Sequence, residues 1–101
     1  MDINELMKQA QQMSKKLEQA NEELTARVFE GSASNGLVNV KVNGEHKLLS
    51  VEIDPSIFNS DDREMVQDLV MIATNEAIEK ADTAKKDKFG SMASALGLPN
   101  M

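Results

Sequence analysis

Asn35-Gly36-Leu37-Val38-Asn39-Val40-Lys41-Val42-Asn43-Gly44 decides the fold of this chain. Asn-Gly is the strongest short hairpin signal, because both residues tolerate the positive φ of a tight type I′ turn, and here it stands at both ends of one alternating run. The run 37–42 therefore reads as the middle strand of an antiparallel meander. With two-residue loops at both turns, pairing keeps parity. Phe29, Gly31 and Ala33 then share a face with Val38, Val40 and Val42, and with Leu49, Val51 and Ile53. The opposite face carries Glu30, Ser32, Asn39, Lys41, Ser50 and Glu52, interrupted by Leu37 and Leu48, which are available to a partner. A loop at Gly44-Glu45 instead of Asn43-Gly44 would move the second pairing without exchanging the faces.

Upstream of the sheet, Ile3, Leu6, Ala10, Met13, Leu17, Ala20 and Leu24 follow one another at spacings of three and four without a slip. That is the seam of a helix that packs along another helix. A helix over about residues 2–27 is roughly 39 Å long, more than a domain of this size covers with its own core. The seam therefore predicts a homodimer, with these seven residues at the interface.

Downstream, Pro55 ends the third strand, since it cannot donate to a ladder and holds Asp54 extended. Asp61 fits an N-cap, with Glu64 three residues on. Met65, Val66, Leu69, Val70, Ile72, Ala73, Ala77, Ile78 and Ala81 cover more than one face of the helix that follows, as suits a helix lying on the sheet and touching a second subunit. Gly90 is expected to end it. The segments are thus a helix at about 2–27, strands at about 28–34, 37–42 and 46–54, and a helix at about 61–89. Together they form one α+β domain, α-β-β-β-α, over 1–90, with a flexible tail over 91–101.

Composition restricts what such a domain does. The chain has 101 residues and no cysteine, so disulfides, thiolate metal sites and cysteine nucleophiles are excluded, and a reducing, cytoplasmic setting fits. The amino terminus lacks the basic start and apolar run of a signal peptide, and no stretch approaches a membrane span. His46, the single histidine, has no second histidine or cysteine to complete a catalytic or metal set, and its place at a hairpin end suits a bystander. Glu52 and Asp54 stand two apart on one strand, which charged alternation on a solvated face explains without acid–base chemistry. With no phosphate-binding glycine loop and no nucleophile motif, the chain is read as a non-enzyme without metal, cofactor or small-molecule substrate. The seven methionines are core and seam packing.

The net charge is −6 and the pI near 4.7, yet the charge is uneven. Lys8, Lys15 and Lys16 lie in a stretch of the first helix without acids, ahead of Glu18, Glu22 and Glu23. Residues 61–79 hold six acids against Arg63, whereas 80–88 hold Lys80, Lys85, Lys86 and Lys88 against Asp82 and Asp87. In a meander the second helix starts at the far edge and runs back toward the first. At roughly 42 Å for about 28 residues it overshoots strands of roughly 20 Å. Both lysine clusters are thereby expected to frame one surface. Either they keep two helices solvated, or they receive an anionic polymer.

Several short motifs favour the polymer. Leu6-Met7-Lys8-Gln9-Ala10-Gln11-Gln12-Met13, Gly36-Leu37-Val38, Val42-Asn43-Gly44, Val51-Glu52-Ile53-Asp54-Pro55 and Asp68-Leu69-Val70 occur in one order over about ninety residues. In this the chain resembles the YbaB/EbfC family of bacterial nucleoid-associated proteins. The resemblance implies an α-β-β-β-α homodimer with protruding, tweezer-like helices that binds DNA in the nucleoid. By position it points to Lys8, Lys15, Lys16, Lys80, Lys85, Lys86 and Lys88 as DNA contacts. Only Phe29, Phe58 and Phe89 are aromatic, so a platform for stacking single-stranded bases is missing, and duplex DNA held through its phosphates is the more coherent ligand. The alternative is a dimeric adaptor that holds a protein partner through its acidic faces and Leu37 or Leu48.

Overall fold

The first Asn-Gly turn forms as the residue types require. In the computed structural model, which describes residues 2–95, Asn35 and Gly36 take φ of 57° and 87°, and the Leu37 N–H closes the turn on the Ser34 carbonyl at 3.3 Å. Strand β1 (Val28–Ala33) therefore pairs antiparallel with β2 (Val38–Asn43) in the expected register, Ala33 opposite Val38 and Gly31 opposite Val40. Burial alternates along both strands, with Phe29, Gly31, Ala33, Val38, Val40 and Val42 inward.

The second turn differs from both two-residue readings. Asn43 acts from just before the loop, its side-chain Oδ1 accepting from the backbone N–H groups of Glu45 and Lys47 at 2.9 and 3.0 Å. Asparagine readily organises a turn in this way. Gly44, Glu45 and His46 make the loop, with His46 at a φ of 64°. The pairing of β2 with β3 (Leu48–Ile53) then carries a bulge between Lys41 and Val42, so Leu48 rather than Leu49 stands opposite Val42, while Val51 still faces Val40 and Ile53 faces Val38. Leu48 and Leu49 are both exposed. Leu37 is not a docking residue, because it packs against the core.

After β3, Asp54 caps a short 3-10 turn, its carboxylate accepting from the Ser56 N–H at 2.9 Å. The hydrogen bonds from Ser56 hold the Asp54 carboxyl below the usual carboxylate range. This residue is therefore spent on the backbone and is no partner for Glu52 in acid chemistry. A second 3-10 turn (Ser60–Asp62) is capped not by Asp61 but by Asn59, whose Oδ1 accepts from the Asp62 N–H at 3.0 Å. The earlier cap delays the long helix to Arg63. That helix, α2 (Arg63–Ala95), then runs straight through Gly90. A lone glycine costs a helix only about 1 kcal/mol against alanine. Residues 91–95 are thus helical rather than a tail, and 96–101 lie outside the described residues.

Ala73, Ala77 and Ala81 recur at intervals of four and are essentially buried. This narrow ridge sets α2 down on β1 and β2, where Phe29, Val38, Val40 and Val42 complete the core. One flank of α2 turns to the outer edge of β1, where Lys80 donates to the Glu30 carbonyl at 2.9 Å. The other turns toward the β2–β3 turn, where Asp82 meets His46 at 2.7 Å. Over β3 the cover is thin. Val51 is 38% exposed and, with Leu49 and Phe58, leaves a bare apolar strip beside the α2 flank that bears Met71.

Helix α1 (Ile3–Ala26) is capped by Asp2 and spans about 36 Å. Only Ala20 and Leu24 of its seam are buried, near the β2–β3 turn and α2. Gly44 lies so close that a Cβ there would sit 1.9 Å from the Leu24 carbonyl oxygen. Everything before Ala20 projects. The radius of gyration, 19.6 Å, exceeds the roughly 13 Å of a compact chain of this length, as a free arm requires.

Candidate nucleic-acid interface

The arm and the end of α2 meet at one contact. Lys88 Nζ donates to the Glu23 carboxylate, joining residues 65 apart in sequence. Along α1, Lys16 stands about 10 Å and Lys8 about 22 Å beyond Glu23, while Lys85 and Lys86 lie within one turn of Lys88. The two basic clusters are thus placed on either side of this contact, at the end of the molecule away from the sheet. Among the described residues, Lys8, Lys15, Lys16, Lys85 and Lys86 make no ion pair and all five are exposed.

Two lysines differ from these five. Lys80 is anchored to the β1 edge through Glu30 and pairs with Glu76 at 3.3 Å. It sits about 12 Å down the helix from Lys88, outside the cluster. Lys88 is partly buried, because its helical phase continues the ridge of Ala77, Ala81 and Ala84 toward the arm.

The acids are arranged in a way that a net charge of −6 conceals. Asp61, Asp62, Glu64 and Asp68 gather at the start of α2. Asp68 is about 26 Å along the helix from Lys85, several times the Debye length of about 8 Å at physiological ionic strength. Their repulsion is screened at the basic end. Of the acids close by, Asp82 is engaged by His46 and Glu23 by Lys88. Asp87, Glu18 and Glu22 remain as local negative charge.

Two features escaped the sequence reading. Arg27, at the joint between α1 and β1, lies over the Phe29 ring at 5.0 Å and adds a cation at the foot of the arm. Glu23 looked like one acid among three, and nothing in its local sequence sets it apart from Glu22. His46 is exposed and holds the β2–β3 turn to α2 through Asp82. Among the described residues no cluster of three or more His, Cys, Asp or Glu could hold a metal ion, and no helix is long and apolar enough to cross a membrane.

Known proteins resemble this chain in sequence and in fold. A nucleoid-associated protein of Clostridium novyi is 40% identical over 101 residues, covering all of this chain and 89% of its own. A nucleoid-associated protein of Desulfotalea psychrophila is 38% identical, covering the whole chain and 95% of its own. The crystal structure of an uncharacterized protein from Helicobacter pylori superposes with a TM-score of 0.77 at 26% identity, over 91% of this chain and 97% of that one. A family model matches residues 1–96. The chain belongs to the YbaB/EbfC DNA-binding family.

Proposed function

We propose that this protein binds double-stranded DNA as a homodimer in the bacterial nucleoid, through phosphate contacts from lysines at the meeting point of its arm and α2. The observation that carries the reading is the set of five exposed lysines without ion pairs, Lys8, Lys15, Lys16, Lys85 and Lys86, on the two helices flanking one contact. Lysine offers a point charge to phosphate without reading base edges, so the mode is weak in sequence preference. Lys88 joins the set only when Glu23 is displaced, and Lys80 contributes long-range charge. The names of the relatives, both nucleoid-associated proteins, support the nucleoid as the setting of that binding.

The homodimer is supported by apolar surface that one chain leaves bare. A strip along Leu49, Val51 and Phe58 borders the α2 flank on which Met71 is 59% exposed. In this reading a second copy seats its α2 there, and the two α2 helices lie side by side between the sheets. The exposed part of the seam, Ile3, Leu6, Ala10, Met13 and Leu17, is a second self-contact, whereas Ala20 and Leu24 already serve the chain's own packing. A Met71→Glu protein should sediment as a monomer at micromolar concentrations where wild type is a dimer. Equal sedimentation of the two would remove α2 from the interface.

Duplex titrations across salt test the DNA reading. Each phosphate neutralised contributes about −0.9 to the log–log slope, so a dimer using at least two lysines per chain should give a slope of about −3.6 or steeper. Binding that is flat with salt, or stronger for single strands, would overturn it.

A further inference from the structure

We propose that Glu23 acts as a built-in substitute for a DNA phosphate: it occupies Lys88 and clasps the arm to α2 until duplex DNA takes its place. The inference rests on the DNA-binding reading and adds to it a moving part. Lys88 is the one lysine of the basic end whose charge is already matched, and it lies on the ridge face of α2 rather than on the solvent face. Its partner comes from the other helix, 65 residues away. Among the described residues, this is the single ion pair between α1 and α2.

Three observations make the contact a clasp rather than a fixed strut. The Glu23 side chain is 64% exposed and that of Lys88 is 35% exposed, so the pair is open to competition by a solvated anion. Pairs at such positions contribute little to stability. The arm is otherwise held only at its foot, by Ala20 and Leu24, and carries exposed apolar residues from Ile3 to Leu17 that give it no intrachain support. The lysines that would first meet a duplex, Lys15, Lys16, Lys85 and Lys86, stand within about two helical turns of the pair. A phosphate held by them lies where Glu23 can be exchanged. The exchange conserves the charge match on Lys88 and leaves Glu23 to water, with the arm no longer tied to α2 through this pair.

The test compares Glu23→Gln with Glu22→Gln, which removes the same charge one residue away from an exposed side chain without an ion pair. Exposed pairs of this kind correspond to roughly a threefold gain per chain once removed. Glu23→Gln should therefore bind duplex roughly three- to tenfold more tightly as a dimer, while Glu22→Gln stays within about twofold of wild type. In a Lys88→Met background the two substitutions should become equivalent. If Glu23→Gln binds no better than Glu22→Gln, or keeps its advantage without Lys88, the exchange is wrong.

A second readout needs no DNA. The chain has no cysteine, so spin labels can be placed at Gln12→Cys on the arm and Asn75→Cys on α2, diluted with unlabelled chain to read distances within one copy. Wild type should give one narrow distance, Glu23→Gln a broader or longer distribution, and wild type with duplex should move toward it. Identical distributions for wild type and Glu23→Gln would overturn the clasp. Failure of wild type to bind duplex at any salt would instead overturn the DNA reading, leaving the label distances to judge the arm.

Discussion

Replacing Gly31 with alanine should cost at least about 3 kcal/mol of stability, at or beyond the upper end of the usual penalty for overpacking. At the centre of β1 this glycine lies directly beneath α2. A Cβ there would come within 2.0 Å of the Ala73 carbonyl oxygen and 2.7 Å of the Ala77 nitrogen. Both are backbone atoms of a long helix, so no side chain can rotate out of the way. The helix would have to rise, and with it would go the close cover over Val38, Val40 and Val42, all essentially buried. At roughly 4–8 °C per kcal/mol for a domain of this size, the melting temperature should fall by about 12–24 °C. Gly36→Ala is the comparison, since its Cβ would meet nothing nearer than Asn39 Oδ1 at 4.0 Å and suffers only from a φ of +87°. That strain costs roughly 1–3 kcal/mol. A Gly31→Ala protein that melts no lower than Gly36→Ala would show that α2 does not rest on β1 this closely.

The same contrast shows what the sequence discloses. Gly31 was legible as a member of the inward face of β1, because parity from the Asn35-Gly36 turn placed it opposite Val40. Its role as the landing point of a helix was not legible, since that depends on Ala73 and Ala77, more than forty residues away. Alternation along β1 and β2 and the order of elements follow from local rules of turn and period, and they agree with the structure. The second turn failed for a local reason, because asparagine serves equally well within a type I′ turn or just before a loop that it caps with its side chain. A heptad seam tells that one face of a helix needs cover, not which element supplies it. For Ala20 and Leu24 the cover is the chain's own sheet turn and α2. The lysine clusters are visible as sequence runs, and topology brings them to one end, yet Lys80 separates from the others only when its tertiary partners are seen. Helical phase did carry a signal for Lys88, which lies seven residues after Ala81 and on the same ridge.

Reversing the charge of the two free clusters should have the largest effect on binding. Lys85→Glu with Lys86→Glu changes four lysines in a dimer, and Lys8→Glu with Lys15→Glu changes four others on the arms. If each lysine neutralises one phosphate, either double variant should make the salt slope shallower by up to about 3.6, at about 0.9 per contact. Loss of attraction is compounded by new repulsion from the introduced carboxylates, so affinity at low salt should fall by roughly a hundredfold or more. All four positions are exposed and without ion pairs among the described residues, so both variants should remain folded and should sediment like wild type. Lys41→Glu is the control, since Lys41 lies on the polar face of the sheet and pairs with Glu30 at 3.6 Å. Its substitution should change binding only through net charge, by a few-fold at most. Loss of binding by the sheet variant with both helix variants intact would move the interface to the sheet. Binding unaffected by all three, with wild type still holding duplex, would mean that lysine–phosphate contacts do not carry it. Unequal losses would apportion it between arm and α2, because the two pairs of lysines stand on different helices and can engage separate stretches of backbone.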